Sequence, residues 1–153
     1  MGMILLLAAL LAFVPVGPGR CALLVPLPVR VVTVYHAVAA ETDGSPLVTA
    51  DGTRIGGVAQ RICAVSQDLL ISNGGPVAYG DWLWVDVPDA GLSGLWRVHD
   101  TMWDGVTGYV DLLVPHSVNR CWRSADAVVA NGDGCPVGAQ VFIAWRSTTN
   151  GAN

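Results

Sequence analysis

The chain has 153 residues, of which 52% are hydrophobic and 13% charged, and its formal net charge is -4. This length suits one globular domain with its own core, and the composition argues against a disordered chain or a multidomain assembly. All eight basic residues are arginines and no two are adjacent, so the sequence lacks the basic surface typical of nucleic-acid-binding proteins.

The N-terminus has the features of an export segment. Residues 3–14 form an unbroken apolar run, too short to span a bilayer, that is followed by Pro15, Gly17, Pro18 and Gly19. We expect residues 1–19 to be a signal peptide cleaved after Gly19, and the mature protein to be secreted, periplasmic or cell-wall associated. Two alternatives stay open: an uncleaved membrane anchor, because no Lys or Arg precedes the run, and lipidation of Cys21.

The rest of the chain has the pattern of a β protein. After a short Pro-containing lead-in at residues 20–30, alternating and β-branched runs predict six short strands, over residues 31–38, 61–65, 82–87, 94–99, 109–114 and 140–145. Helical patterns are few: one turn at residues 68–70 and a short helix over residues 120–129. The fold class predicted is therefore all-β, with the strands closed into a small barrel over residues 31–146 and a polar tail at 147–153.

The four cysteines are expected to form disulfides in an exported protein. Cys121 and Cys135 enclose the turn-rich residues 131–134, so we predict that they are bridged, which leaves Cys63 to pair with Cys21. There is no CxxC motif and only His116 lies close to a cysteine, so we expect no metal and no cofactor. Cys63 lies in an apolar strand, where a packed or bridged thiol is favoured over a nucleophile.

Four motifs in order resemble the 3D domain family, from about Val31 to Pro115. They are Val32-Thr33-Val34-Tyr35, then Glu41 to Pro46 with Thr49-Ala50-Asp51-Gly52, then Cys63 to Leu70, then Val98 to Met102 closing with Val110-Asp111. That family adopts a six-stranded double-psi β-barrel, is related to the catalytic barrel of MltA-type lytic transglycosylases, and is more loosely related to RlpA-like proteins. The resemblance implies the same barrel here.

The resemblance implies that Asp111 is a catalytic acid/base and that Asp100 is its partner. The two aspartates are separated by a strand end, a turn and a returning strand, which would bring both carboxyl groups to one end of a barrel. One of them would then hold a proton because its neighbour is charged. Such a carboxyl group protonates the leaving oxygen during glycosidic cleavage. Asp100 at a strand end also suits a structural role in a turn.

The resemblance further implies a sugar-binding groove beside the aspartates. Tyr35, Thr42, Asp43 and Thr49 match the first half of the family pattern, Thr101 completes the Asp-Thr dipeptide, and Trp103 on the turn is expected to be exposed for sugar stacking. Asp104 is expected to be a solvated turn residue. His99 should point to the face of its strand opposite Asp100, which favours a structural histidine.

Two functions from different classes follow from these features. The first is an exported enzyme that cleaves the glycosidic bond between N-acetylmuramic acid and N-acetylglucosamine in peptidoglycan, as lytic transglycosylases do. The second is a non-catalytic barrel that binds cell-wall glycan or a protein partner, because fold alone does not fix function. A glycoside hydrolase with two aspartates is a third possibility. The expected partner is peptidoglycan or a related glycan, with no nucleic acid and no membrane contact beyond an uncleaved N-terminal segment.

Overall fold

The computed structural model describes residues 13–17, 20–42, 44–57, 60–89, 91–125 and 135–145. Over these ranges the chain forms ten strands and two short 3-10 helices, Gln67–Leu69 and Ile71–Asn73. The strands are β1 (Phe13–Gly17), β2 (Arg20–Leu23), β3 (Val25–Pro26), β4 (Val31–Tyr35), β5 (Ile62–Val65), β6 (Trp82–Asp86), β7 (Gly94–Thr101), β8 (Tyr109–Leu113), β9 (Cys121–Arg123) and β10 (Gln140–Trp145). The prediction of an all-β protein is therefore confirmed. Of the helices in this part of the chain, none has the length and hydropathy needed to cross a membrane.

Several predicted features lie outside the described residues. These are most of the proposed signal peptide with its cleavage point, the turn at residues 131–134, the tail at 147–153, and Asp43. What is described of the N-terminal segment is a separate two-stranded antiparallel sheet, in which β1 pairs with β2.

The main sheet has eight strands in the order β3-β10-β6-β7-β5-β8-β4-β9. The six predicted strands are all present, as β4, β5, β6, β7, β8 and β10. The sheet has two strands more than the six expected, because β3 and β9 extend it at its two ends, and pairing among the described strands does not close into a ring. Two pairs are parallel, β4 with β8 and β5 with β7, and an antiparallel β5–β8 pair joins them.

Within the helix expected over residues 120–129, residues 121–123 form the strand β9 instead, and residues 126–129 lie outside the described residues. Residues 121–123 pair antiparallel with Val31–Thr33 of β4, so their backbone hydrogen bonds belong to the sheet. A disulfide joins Cys121 to Cys135, as predicted. On the far side of β9, the amide of Arg123 donates to Pro136, and the amides of Gly138 and Ala139 donate to the carbonyl of Arg123. Tertiary pairing on both sides therefore overrides the weak helical pattern.

The strand alternation sorts the sheet residues onto two faces. The main core takes one face, with Val32 of β4, Cys63 and Val65 of β5, and Val110 and Leu112 of β8. A smaller cluster lies on the other face and contains Tyr35, Ile62, Ala64 and Leu113. Because side chains alternate along a strand, Thr33 and Asp111 also project toward this second face. Polar residues at these positions are thereby kept out of the main core.

The predicted pairing of Cys63 with Cys21 is wrong. Cys63 is a free thiol and is fully buried in the main core. Burial is also the main reason that the pKa of its thiol lies well above the ordinary value, followed by the charges of Asp111 and Asp100. A buried, protonated thiol is a packing residue, not a nucleophile.

Candidate functional site

The two predicted aspartates flank a single small residue of the central strand β5. Ala64 is the register partner of Asp111 on β8 and of Asp100 on β7. Residues paired across neighbouring strands face the same side of a sheet, so both carboxyl groups project from the face opposite the main core. Two strand spacings place their backbones about 10 Å apart, with only a methyl group between them.

A β-bulge in β7 determines the face on which Asp100 lies. Val98 is paired with Cys63, but the next pair along is Asp100 with Ala64, so His99 is an extra residue in β7. In a regular strand His99 would be paired with Ala64, and Asp100 would point toward Val65 in the main core. Bulges of this kind redirect side chains near functional sites. Here the bulge brings Asp100 to the same face as Asp111.

The carboxylate of Asp100 is held by three donors. Its Oδ1 accepts hydrogen bonds from the amides of Ala50 (3.0 Å) and Thr101 (2.9 Å), and its Oδ2 accepts one from the Tyr35 hydroxyl (3.3 Å). Burial, with the charge of Asp100 as the next contribution, raises the pKa of Tyr35 far above its ordinary value, so this phenol stays a donor. Asp100 therefore ties the connection between β4 and β5 to the end of β7.

Asp111 has a different environment. Its Oδ1 accepts one hydrogen bond, from the Thr33 hydroxyl at 2.8 Å on the parallel neighbour β4. The pKa of Asp111 is raised to about 6, first by burial and then by the charges of Glu41 and Asp100, against the lowering effect of the Thr33 hydrogen bond. Burial thus outweighs the neighbouring charge that we expected to be the cause. Asp111 is a carboxyl group that can both donate and accept a proton near neutral pH.

Both aspartates open into one cavity of about 560 Å³. Six of the predicted site residues line it: Tyr35, Thr42, Asp100, Thr101, Trp103 and Asp111. The other lining residues come mainly from the β4–β5 connection. Trp103 is 67% exposed, as predicted, and its ring packs over Gly105, where a side chain of any size would overlap it. An open wall, two aspartate side chains and an exposed indole suit a polar ligand with flat apolar faces, such as a sugar.

One predicted site residue lies outside the cavity, as do two residues for which no site role is predicted. Thr49 is buried outside the cavity lining, and its hydroxyl donates to Asp51 (2.8 Å) and to the Thr53 carbonyl (3.1 Å). His99 contacts Asp51 at 2.6 Å, which fits the structural role predicted for it. Asp104 is exposed on its turn, as expected.

Sequence reasoning missed Glu41. Eleven of the twelve acidic residues are Asp, and the composition therefore favours Asp for any carboxylate chemistry, yet the side chain of Glu41 lines the cavity with the two aspartates. The sequence signal that could have identified Glu41 is its position directly before Thr42, at the start of the second motif. No Lys, Arg or His lines this cavity in the described part of the chain, so its charge is acidic.

A second cavity, of about 640 Å³, lies where β10 passes the lead-in to β4. Its lining is mainly apolar, and the ionisable residue on its described wall is Arg30. This second cavity therefore lacks the carboxyl groups found in the first. No group of three or more His, Cys, Asp or Glu side chains suited to a metal ion occurs among the residues that the structure covers.

Comparison with known proteins identifies no relative. No family model, no curated protein and no solved structure matches the chain. Function must therefore be argued from the site itself.

Proposed function

We propose that this protein is a glycan-cleaving enzyme that acts on peptidoglycan in the manner of a lytic transglycosylase, with Asp111 as its acid/base. The observation that carries the proposal is the position of Asp111. It is a carboxyl group with a pKa of about 6, it lies on the same face as Asp100, and it opens into a cavity with an exposed tryptophan on its rim. A group protonated at mildly acidic pH can donate a proton to a leaving oxygen.

The reaction needs one group that gives and then takes a proton. Asp111 donates its proton to the glycosidic oxygen while the bond from C1 of the muramic acid unit to that oxygen breaks, and positive charge develops on the sugar ring. The C6 hydroxyl of the same unit then attacks C1 and returns its proton to Asp111. The products are a 1,6-anhydro sugar and a glucosamine unit with a free 4-hydroxyl, and the enzyme is regenerated.

Asp100 acts in this scheme as a positioning residue. Its carboxylate is already bonded to two amides and a phenol, so its role is to hold Ala50 and Tyr35 at the cavity and to add negative charge near Asp111. Because the Asp100 carboxylate already accepts three hydrogen bonds within the protein, the same observation favours the second candidate, a barrel that binds glycan without cutting it. In such a module the cavity would bind sugar and Asp100 would be purely structural.

For the fold we propose a double-psi β-barrel built on the six longer strands. Two observations support it: the parallel pairs β4–β8 and β5–β7 join strands distant in sequence, and the backbone bonds of Arg123 link β9 to the segment leading into β10. We also propose that the protein is exported to the cell wall. The disulfide is consistent with an oxidising compartment.

The decisive experiment incubates the full chain with purified cell-wall sacculi and identifies soluble products by mass spectrometry. Asp111→Asn is compared with Asp104→Asn, which removes a carboxylate from an exposed turn. We expect anhydro-muropeptides from wild type and Asp104→Asn, and a loss of about a hundredfold or more in Asp111→Asn. Products with reducing ends would indicate a hydrolase, and binding without products would support the non-catalytic module.

A further inference from the structure

A buried histidine lies behind the acidic cavity. His36 directly follows β4 and is 7% exposed. Its Nδ1 lies 2.9 Å from both carboxylate oxygens of Glu41, and its Nε2 lies 2.7 Å from the carbonyl oxygen of Val118. A carboxylate and a carbonyl only accept hydrogen bonds, so the ring satisfies both contacts when each nitrogen carries a proton. His36 is therefore a buried imidazolium cation that forms an ion pair with the exposed Glu41.

This ion pair fixes a carboxylate at the cavity wall. The backbone amide of His36 also donates to Oε2 of Glu41 at 2.9 Å, so one residue supplies all three contacts. The ring of His116 stacks on His36 at 4.8 Å, which limits its rotation. The Glu41 side chain nevertheless keeps 39% of its surface exposed and lines the same cavity as Asp111.

We infer that Glu41 is a second functional carboxylate of the Asp111 cavity and that the buried His36 positions it there. The inference rests on the proposed function and extends it: Glu41 binds the hydroxyl or amide hydrogens of the glycan that Asp111 protonates. A charged carboxylate held by one partner on its buried side has free lone pairs toward the ligand. Holding it in advance reduces the entropy lost on binding.

The arrangement also gives Glu41 and His36 opposite effects on Asp111. The charge of Glu41 favours the protonated form of Asp111, whereas the positive charge of His36 favours the ionised form. The other titratable groups that interact with Asp111 are Tyr35, Cys63 and Asp100. These three stay in place when Glu41 or His36 is replaced. His36→Gln leaves the charge of Glu41 on Asp111, whereas Glu41→Gln also removes the main cause of the raised His36 pKa. Because Glu41 affects the pKa of Asp111 more than His36 does, the net shift in Glu41→Gln is still downward.

The test uses two measurements on the same variants. The titration of the Asp111 carboxyl carbon is followed by NMR without ligand, and the affinity for soluble peptidoglycan fragments is measured by calorimetry. Glu41→Gln removes the charge and keeps the shape, His36→Gln removes the cation, and Asp86→Asn is a control on the exposed end of β6. Where His36→Gln does not fold, Glu41→Asp is used instead. Its shorter side chain keeps the negative charge but moves the carboxylate away from the His36 ring.

We expect the Asp111 pKa to fall in Glu41→Gln, to rise in His36→Gln and to stay unchanged in Asp86→Asn. Affinity should fall about tenfold or more in Glu41→Gln, His36→Gln and Glu41→Asp, since each loses or misplaces a charged hydrogen-bonding group. An unchanged Asp111 titration in Glu41→Gln, or full affinity in that variant, overturns the inference. Wild-type protein that binds no glycan fragment refutes the proposed function instead, and the titration alone then decides whether Glu41 belongs to the Asp111 site.

Discussion

Replacing Asp111 by Asn should make the protein more stable at neutral pH while it removes activity. The pKa of Asp111 in the folded protein is raised from 3.8 to about 6, so the folded state binds this proton more tightly than the unfolded chain does. At 1.36 kcal/mol per pKa unit, the difference corresponds to about 3 kcal/mol. The asparagine side chain has the same shape and no charge to bury.

The sign of the effect fixes its pH dependence. Below about pH 4 Asp111 is protonated in both states, so its burial as an ion costs nothing. As the pH rises from about 4 to about 6, the unfolded chain releases the proton and the folded protein retains it, and the free energy of unfolding decreases. Above about pH 6 the contribution of Asp111 to the free energy of unfolding no longer changes with pH. The stabilisation by Asp111→Asn should therefore grow over this window, up to about 3 kcal/mol.

Urea unfolding at a series of pH values measures this difference, with Asp104→Asn as the matched control. Subtracting the wild-type free energy at each pH removes the contributions of titratable groups that do not interact with Asp111. We expect the Asp111→Asn curve to separate from wild type between about pH 4 and pH 6 and the Asp104→Asn curve to stay flat. An Asp111→Asn difference that is the same at both ends of the series would show that the carboxyl group is unperturbed, and the acid/base proposal would lose its support.

Three further outcomes are expected. Opening the disulfide at the start of β9 by paired serine substitution should lower the free energy of unfolding by about 3 kcal/mol in urea titrations, and an unchanged midpoint would contradict this. Gly105→Ala should push the Trp103 ring off the turn, which changes tryptophan fluorescence and weakens glycan binding with little loss of stability. Thr33→Val removes the hydrogen bond that favours ionised Asp111, so the Asp111 pKa should rise in an NMR titration, and a fall would refute the assigned contact.

Much of the fold could be predicted because its strands have strong local patterns. The β-branched residues of β4 and the alternation in β6 are properties of short windows, and the structure has strands at both. The strand β9 could not be found this way, since it has three residues and depends on pairing with β4. The same limit applies to the end strand β3, which has two residues.

The site was predictable where it depended on sequence spacing and not where it depended on packing. The residues from Asp100 to Asp111 span a strand end, a turn and a returning strand, and the structure brings the two onto one face beside Ala64. The ion pair of Glu41 with His36 has no comparable signal, because it requires knowing that the ring is buried and that Val118 accepts its second proton. The burial of Asp111 likewise could not be predicted from its sequence neighbours, although burial is the main cause of the raised Asp111 pKa.

Because of the bulge at His99, the position of Asp100 in the site depends on the number of residues in β7. With Val98 kept opposite Cys63, inserting one residue between Val98 and Asp100 would place Asp100 opposite Val65 and bury its carboxylate, whereas deleting His99 would remove the bulge and leave Asp100 opposite Ala64. After the insertion every residue of the cavity would be retained and the pair with Asp111 would still be lost. The count of residues along β7 is therefore as much a determinant of this site as the identity of its aspartates.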